Sequence, residues 1–415
     1  MTAPAAPAGS PDLTMIRDIL TPESVRARCG EIFADGLQDN LPGFRIDPGK
    51  MPEATARVVA EIETNYPDLN VPFHSRWRHF EVNGVDLWER AAHKAALSGT
   101  DRTVAAGDLA IVSVLLDAGA GADWKYSDPE TGLCLGRSEG LALASLRLFQ
   151  SGRLSAAPDD PLRADATMLA TLSPEQLGEA FQAGPDNPLV GLEQRAELLQ
   201  RLGKAVIANP GMFSRDGVSR PGHLLLSLAA QPDLQARDIL IGVLDGLMPV
   251  WPSPVRIGDI PLGDVGRHPA VIRQDETNGI VPFHKLSQWL SYSLIEPLQQ
   301  AGVNVAQLDG LTGLPEYRNG GLFVDTGVLS LKTPSGARIA HDPGDPLIVE
   351  WRALTVALID RIADDVRDAL GLSAERLPLA SVLQGGTWSA GRRIAAESRP
   401  GGGPPIVIQS DATVF

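Results

Sequence analysis

Apolar residues recur along most of the chain at the spacing of amphipathic helices. In 285–299 and 346–370 they return about every 3.6 positions, with polar and charged residues on the opposite face. Two more helices are predicted from their start signals, since Ser24 or Thr21 is available to cap one and Ser173-Pro174 opens the other. Further helical segments are predicted at 52–65, 85–98, 104–117, 139–150 and 233–246.

Alternation typical of β-strands is scarce. Strands and helices do not alternate regularly along the sequence, which argues against a doubly wound sheet. The sequence therefore predicts a mainly α fold with a few short β-hairpins. The candidate strands are 78–82, 255–260, 321–328 and 406–409.

The chain is expected to form one large unit. The first twelve residues are rich in Ala, Pro and Gly, which predicts a disordered tail over 1–12. Residues 13–415 are expected to form a single, mostly helical unit, with a candidate subdivision near 151–161. No apolar run is long enough to span a membrane, and the start lacks the basic and apolar regions of a secretory signal. We therefore expect a cytoplasmic protein.

Composition narrows the class of partner. The 415 residues include 36 basic and 51 acidic ones, giving a net charge of −15, which repels polymeric nucleic acid. Cys29 and Cys134 cannot supply a disulfide framework and match no metal motif. His74 and His79 have no third ligand nearby, so no metal site is predicted. A small molecule is the expected partner, and one nucleotide-sized anion is compatible with the charge.

The segment Gly136-Arg137-Ser138-Glu139-Gly140 matches the G-x-S-x-G pattern of serine hydrolases. That pattern requires a buried strand before the serine, and residues 130–135 make a poor strand. A helix start is therefore the preferred interpretation, with Ser138 as nucleophile kept as an alternative. Arg137 beside the helix start is a candidate anion ligand.

A glycine-containing loop follows the apolar run 109–116. Its pattern lacks the third glycine of a dinucleotide-binding loop, because Trp124 stands in that place. The sequence predicts instead a buried helix that ends in a loop. Asp117 and Trp124 are then candidates for a pocket wall.

The densest set of polar residues lies between 281 and 352. Each member has a structural alternative: Lys285 as a solvated side chain, Glu316 and Arg318 as an ion pair, and Glu350 as a favourable charge at a helix start. Together, among glycines and aromatic residues, they favour a binding site. The candidates are His284, Lys285, Gln288, Glu316, Tyr317, Arg318, Asn319, Asp325, Glu350 and Arg352.

These segments resemble the uracil-catabolism family of fungi and bacteria, a domain long described as of unknown function. That family belongs to a route in which the pyrimidine ring is opened and urea is released. The resemblance implies a role in this route without specifying the reaction. The matching stretches are 74–82, 115–121, 137–140, 281–297, 311–327, 348–360 and 385–415.

A second, shorter resemblance concerns the order of three motifs. Phe283-His284-Lys285, Glu316-Tyr317-Arg318 and Glu350-Trp351-Arg352 follow each other as similar groups do in queuosine-salvage hydrolases. Those enzymes cleave an N-glycosidic bond on a helical scaffold related to DNA glycosylases. There an aspartate stands where this chain has Glu316. The likeness implies a DNA-glycosylase-like scaffold and a glycosidic reaction.

The leading hypothesis is an N-ribosyl hydrolase that cleaves a ring-opened uracil nucleoside or nucleotide without a cofactor. Glu316 is the first choice for the carboxylate near C1′, and Asp325 the second. The residues expected to bind the ribose or a 5′-phosphate are Lys285, Arg318 and Arg352. Those expected to bind the urea-like end are Asp117, Trp124 or Glu139. The alternatives are an amidohydrolase or Ser138-dependent hydrolase acting on the ureido group, and a non-catalytic partner of the ring-opening enzyme.

Overall fold

The computed structural model describes residues 13–409, and these residues form a helical body with short strand pairs, as the hydrophobic pattern predicts. The predicted disordered tail, 1–12, lies outside the described residues. The α-helices, in chain order, are α1 (Leu13–Ile19), α2 (Pro22–Leu37), α3 (Met51–Asn65), α4 (Leu87–Lys94), α5 (Gly99–Leu115), α6 (Arg137–Gln150), α7 (Ala166–Thr171), α8 (Pro174–Ala180), α9 (Leu192–Ala208), α10 (Pro210–Phe213), α11 (His223–Ala229), α12 (Ala236–Leu247), α13 (Lys285–Gln300), α14 (Tyr317–Asp325), α15 (Pro346–Leu370), α16 (Leu379–Val382) and α17 (Trp388–Ser398).

The strands of the described residues are short and pair in antiparallel twos. All but one of these pairs join neighbouring segments of the chain, and the exception joins the first strand to the last. In that pair Phe44 lies opposite Leu331. The pairs are β1 (Phe44–Ile46) with β12 (Leu329–Leu331), β2 (Glu81–Val82) with β3 (Val85–Asp86), β4 (Tyr126–Ser127) with β5 (Cys134–Leu135), β6 (Ser214–Arg215) with β7 (Val218–Ser219), β8 (Arg256–Ile257) with β9 (Ile260–Pro261), and β10 (Val265–Arg267) with β11 (Ile280–Pro282).

Helices α5 and α13 lie against each other in the interior. Nearly every residue of α5 from Thr103 to Leu115 is buried, and so is most of α13. Helix α15 packs on α2, α3 and α14, and its apolar stripe includes Trp351 and Leu354. The long helices therefore surround a common core, which extends from Val25 to Ile406. The candidate subdivision near 151–161 falls in the loop between α6 and α7.

The predicted helix starts are confirmed by their caps. The Thr21 side chain accepts a hydrogen bond from the Ser24 N–H at 3.2 Å. At α8, Ser173 and Gln176 cap each other's backbone N–H groups, which is the reciprocal arrangement called a capping box. These bonds satisfy donors that the first helical turn leaves without partners.

The predicted strand at 321–328 is wrong. Tyr317–Asp325 forms helix α14, because the Glu316 carboxylate caps its first turn and the helix packs against α15 and α17. Gly320 and Gly321, which weaken a helix locally, allow the close packing: a Cβ on Gly320 would lie 2.8 Å from the Trp351 indole nitrogen.

The other strand predictions are correct in part. The segment 255–260 contributes to the hairpin of β8 and β9. In 78–82 only the last two residues are extended, since Arg76–Phe80 is a 3-10 helix. The segment 406–409 makes a single parallel bridge, between His341 and Ile408.

Helix α17 approaches the backbone of α14 very closely. The α-carbon of Gly391 faces the Arg318 carbonyl oxygen, and an added Cβ would collide with it. A π-helical turn, Leu383–Thr387, precedes α17 and packs Gly385 and Gly386 against α3 side chains and Val71. These glycines therefore place the first turn of α17, and with it Trp388. No helix within 13–409 is long and apolar enough to cross a membrane.

We expect Gly391→Ala to lower the free energy of unfolding by about 1–3 kcal/mol, because α17 must move away from α14. Gly30→Ala is the matched control, since Gly30 lies inside α2 with no atom within 4 Å of an added Cβ. There the gain in helix propensity should raise stability by about 0.5–1 kcal/mol. Urea unfolding followed by circular dichroism measures both, and equal effects would contradict the close approach.

Candidate functional site

One cavity of about 470 Å³ lies between α6, α13, α14 and α17. Its volume is in the range of small-molecule sites and suits a ligand of nucleotide size. The wall combines charged side chains with aromatic ones and with backbone from two glycine-containing loops, 117–122 and 401–404. The polar and aromatic side chains of the wall are His74, His79, Asp117, Arg137, Ser138, Glu139, Lys285, Trp289, Glu316, Tyr317, Arg318, Trp388 and Arg392.

The candidate residues from the sequence divide into two groups. The first group lines this cavity: Asp117, Arg137, Ser138, Glu139, Lys285, Glu316, Tyr317 and Arg318. The second group does not line it: Trp124, His284, Gln288, Asn319, Asp325, Glu350 and Arg352. Most members of the second group hold the first in place, as the following contacts show.

Glu316 is held at the start of α14. Its carboxylate oxygens accept hydrogen bonds from the backbone N–H groups of Arg318 at 2.8 Å and of Asn319 at 2.6 Å. Desolvation in the cavity raises the pKa of Glu316, while these two hydrogen bonds and the positive charge of Lys285 act against the rise. The carboxylate is thus fixed in direction and borders the cavity.

Lys285 is the first residue of α13, and the loop between β9 and β10 holds it by its backbone. Its N–H donates to Asp264 Oδ2 at 2.9 Å. Both oxygens of Asp264 also accept hydrogen bonds from Arg352, at 2.8 and 2.7 Å. Desolvation and the Arg352 charge lower the pKa of Lys285 to about 8. Arg352 therefore acts on the cavity through Lys285 without lining it.

His284, immediately before Lys285, has a positive φ of 49°. Its Nε2 lies 3.2 Å from the Ile19 carbonyl oxygen, and its backbone N–H donates to the Asp264 carbonyl at 3.0 Å. This residue turns the chain sharply into α13. Its side chain points away from the cavity and into contact with α1.

Gln288 and Asn319 fix the segment that leads into α14. The Gln288 side chain accepts a hydrogen bond from the Thr312 N–H at 2.8 Å, and its amide group also donates to the Thr312 hydroxyl. The Asn319 amide donates to the Leu314 carbonyl at 3.0 Å. Glu316 is therefore tied to α13 and α14 from both sides.

Glu350 and Trp124 have partners elsewhere. The Glu350 carboxylate accepts the Phe44 N–H at 2.7 Å and lies 3.2 Å from His268 Nε2. The Trp124 indole donates to the Phe181 carbonyl at 3.0 Å, and the two rings are stacked. Both residues are fully occupied in holding separate parts of the chain together.

Asp325 anchors a loop of the cavity wall. Its two oxygens each lie 2.6 Å from an Arg399 nitrogen, and Arg399 Nε donates to the Gly403 carbonyl at 2.8 Å. Arg318 donates to the neighbouring Gly402 carbonyl, also at 2.8 Å. Gly401 and Gly402 have φ values of 75° and 61°, which side chains rarely adopt. Asp325 thus supports the 401–404 loop.

Asp117 is backed by buried arginines. Its Oδ1 lies 3.1 Å from Arg76 Nη1, and the Arg76 side chain is 0 % exposed. Arg195 donates to the Ala118 and Gly119 carbonyls at 2.8 Å, and burial lowers the pKa of Arg195 to about 10. The 117–122 loop is therefore rigidly supported from behind, and the Asp117 carboxylate faces the cavity in a fixed position.

Apart from Tyr317, sequence reasoning missed the aromatic part of the wall. His74 lies 6.3 Å from the Trp289 ring and 6.1 Å from the Trp388 ring, between ring centroids, and His79 meets Trp289 edge-on. Desolvation and the Arg76 charge lower the pKa of His79 to about 3, so its imidazole is neutral. The sequence did contain a signal for Trp289. It follows Lys285 by four residues, so the two side chains lie on the same face of a helix.

Arg392 was also missed. It follows Trp388 by four residues on α17, and its guanidinium lies 5.5 Å from that ring. It forms an ion pair of 3.3 Å with Glu139 of α6. Among residues 13–409, no group of three or more His, Cys, Asp or Glu side chains is arranged to hold a metal ion.

Comparison of the sequence with known proteins shows the family of this chain. Residues 18–415 match the family described as protein of unknown function DUF1688, so the chain belongs to that family. It is 38 % identical over 412 residues to Protein urg3 of Schizosaccharomyces pombe, covering 96 % of this chain and 99 % of that protein. It is 35 % identical over 430 residues to Uracil catabolism protein 4 of Lachancea kluyveri, covering 94 % and 97 %. The resemblance to the uracil-catabolism family is confirmed.

We expect Asp325→Asn to loosen the 401–404 loop without unfolding the protein. Loss of a mostly buried ion pair should cost about 1–3 kcal/mol of unfolding free energy. Hydrogen exchange should accelerate at 399–404, whereas Asp365→Asn, at an exposed position of α15, should change neither quantity. Unchanged exchange in Asp325→Asn would contradict the anchoring role.

Proposed function

We propose that this protein acts in uracil catabolism as an N-ribosyl hydrolase. Its substrate would be a ring-opened uracil nucleoside or nucleotide, and its products urea or a substituted urea together with ribose or its phosphate. The name of the Lachancea kluyveri relative supports the pathway. The observation that carries the reaction is that Glu316 and Lys285 border one nucleotide-sized cavity, each held by its own backbone contacts.

Glycosidic cleavage develops positive charge on the ribose ring, in a transition state that resembles an oxocarbenium ion. A fixed carboxylate near C1′ stabilises that charge without having to reorient. Glu316 meets this requirement because two backbone N–H groups hold it at the start of a helix. In this proposal it also accepts a proton from the attacking water.

The leaving ureide nitrogen needs a proton as its bond to C1′ breaks. With a pKa of about 8, the Lys285 side chain is mostly an ammonium group at neutral pH and still a competent acid. The bond's electron pair goes to nitrogen, which takes the proton from Lys285. Water adds to C1′ and releases its proton to Glu316, and exchange with solvent restores both groups.

Asp117 is the proposed ligand of the ureide. A carboxylate can accept both parallel N–H groups on one edge of a urea. Arg76 keeps this carboxylate in place, and the neutral ring of His79 and the face of Trp289 complete an uncharged surface beside it. The urea-like end would then lie on the α5–α13 side of the cavity.

Ser138, the alternative nucleophile, has weaker support. Within residues 13–409, neither histidine of the wall forms a hydrogen bond with the Ser138 hydroxyl, and His74 Nδ1 is bonded to Gln384 at 2.9 Å. The segment before Ser138 is the short strand β5, not a buried central strand. Its place at the start of α6 accords with the helix-start interpretation.

We expect Glu316→Gln to lower kcat on ribosylurea or its 5′-phosphate by about 10²–10³-fold, because the amide stabilises no positive charge. Glu53→Gln is the matched control, an exposed glutamate in the first turn of α3. Chromatography should find intact urea and free ribose or ribose phosphate. Ammonia and carbon dioxide as products would favour attack on the ureido group, and no conversion by the wild type would favour the non-catalytic role.

The pH dependence of kcat tests the proposed roles of Glu316 and Lys285. The Glu316 pKa is raised, so activity should fall as acid protonates the carboxylate, and it should fall again above about pH 8 as Lys285 loses its proton. Lys285→Arg keeps the charge with a far higher pKa, so any activity it retains should extend to more alkaline pH. Full wild-type kcat at pH well above 9 would contradict the acid role of Lys285.

A further inference from the structure

We propose that the rim of this cavity is a phosphate site, with Arg137 as its principal ligand, so that the substrate is a ribosyl ureide 5′-phosphate and not the free nucleoside. The inference extends the proposed function, but the phosphate site itself can be tested without turnover.

The cavity wall has the opposite charge balance to the chain as a whole. It carries the cations Arg137, Lys285, Arg318 and Arg392 and the carboxylates Asp117, Glu139 and Glu316. The chain has a net charge of −15. An excess of positive charge inside a strongly acidic protein focuses an anion on this one place.

The partners of the three wall arginines differ. Arg318 donates to the Gly402 carbonyl, and Arg392 pairs with Glu139. Across residues 13–409, the Arg137 side chain has neither a hydrogen-bond nor an ion-pair partner, although it lines a cavity that contains carboxylates. Its guanidinium therefore retains its full set of donors for a ligand.

The backbone at Arg137 is in an unusual conformation. Its φ of 54° lies in the left-handed region, which residues with a side chain adopt uncommonly. The residue stands at the first position of α6, so the positive end of that helix lies beside its side chain. Its charge also acts on the Tyr317 phenol, which places it at the α14 side of the rim.

Phosphate fits this arrangement better than a carboxylate does. The arginines that line the cavity come from three elements, α6, α14 and α17, so a phosphate, which has more acceptor oxygens than a carboxylate, can engage more than one of them. Arg137 and Arg392 are exposed at the mouth, whereas Asp117 lies on the inner wall with its side chain 8 % exposed. A ribosyl ureide phosphate would enter with its ureide first and leave its phosphate at the rim.

The Glu139–Arg392 pair does not prevent this binding. Its side chains are 39 % and 52 % exposed, and ion pairs at that exposure contribute little. Arg392 can therefore turn from Glu139 to an entering phosphate at small cost.

The first experiment measures binding alone, by calorimetry, with ribose 5-phosphate, inorganic phosphate and ribose. Ribose 5-phosphate should bind at least about 10-fold more tightly than ribose, and Arg137→Ala should abolish that difference. Arg137→Lys should restore part of it, since charge remains without the guanidinium fork. Arg153→Ala, at an exposed arginine paired with Glu179, is the control and should bind as the wild type does. Thermal unfolding verifies that each variant is folded.

The second experiment compares kcat/KM for ribosylurea and its 5′-phosphate. The phosphate ester should be preferred by about 10²-fold or more, and Arg137→Ala should remove the preference mainly through KM. Ribose 5-phosphate that binds no better than ribose, or equal turnover of both substrates, would overturn the phosphate site and leave the hydrolase standing. Arg137-dependent binding without any turnover would overturn the hydrolase and leave the phosphate site standing.

Discussion

The ion pair between Asp264 and Arg352 is the contact on which the site depends. Its two hydrogen bonds join the loop between β9 and β10 to the second turn of α15, and both side chains are less than one-tenth exposed. Asp264 also accepts the Lys285 N–H, and its carbonyl accepts the N–H groups of Phe283 and His284. Removing either partner would leave a charge with little access to water, which typically costs about 3–5 kcal/mol. Desolvation is the main cause of the lowered pKa of Lys285, and the charge of Arg352 adds to it while that of Asp264 acts against it, so the pair fixes the backbone of Lys285 and modulates its acidity.

Three charged parts of the wall lie at helix starts, those of α6, α13 and α14, and at the last two this position explains which candidate residues line the cavity. The residue that opens or caps a helix faces the cavity, as Lys285 and Glu316 do. The residue three positions later is buried and forms hydrogen bonds, as Gln288 and Asn319 do. Motif reasoning treated both kinds as ligands, because residues three positions apart share a helix face and a linear motif does not show which of them a neighbouring segment covers. The contacts of residues 312 and 314 make that distinction.

The predictable part of the molecule is the part determined by local pattern. The long apolar stripes of α13 and α15, and the Ser173 cap of α8, were readable from the sequence. Helix α14 was not, because two adjacent glycines and only nine residues give it a weak local signal, and its stability comes from the Glu316 cap and from packing on Trp351. His74 and Trp388 were missed since they meet across the core from positions far apart in the chain.

The carboxylates and the arginines of the cavity differ in how they are supported, and this difference has a consequence for binding. Asp117 has Arg76 behind it, and Glu316 has two backbone donors, so both keep their positions when the cavity holds only water. Such prior ordering lowers the cost of organising the site around a reacting bond. Arg137 is instead fixed through its backbone, and its guanidinium gives up no internal contact when an anion arrives. In the proposed reaction, the carboxylates would therefore orient the reacting end of the substrate, and the rim arginine would supply binding energy at the opposite end.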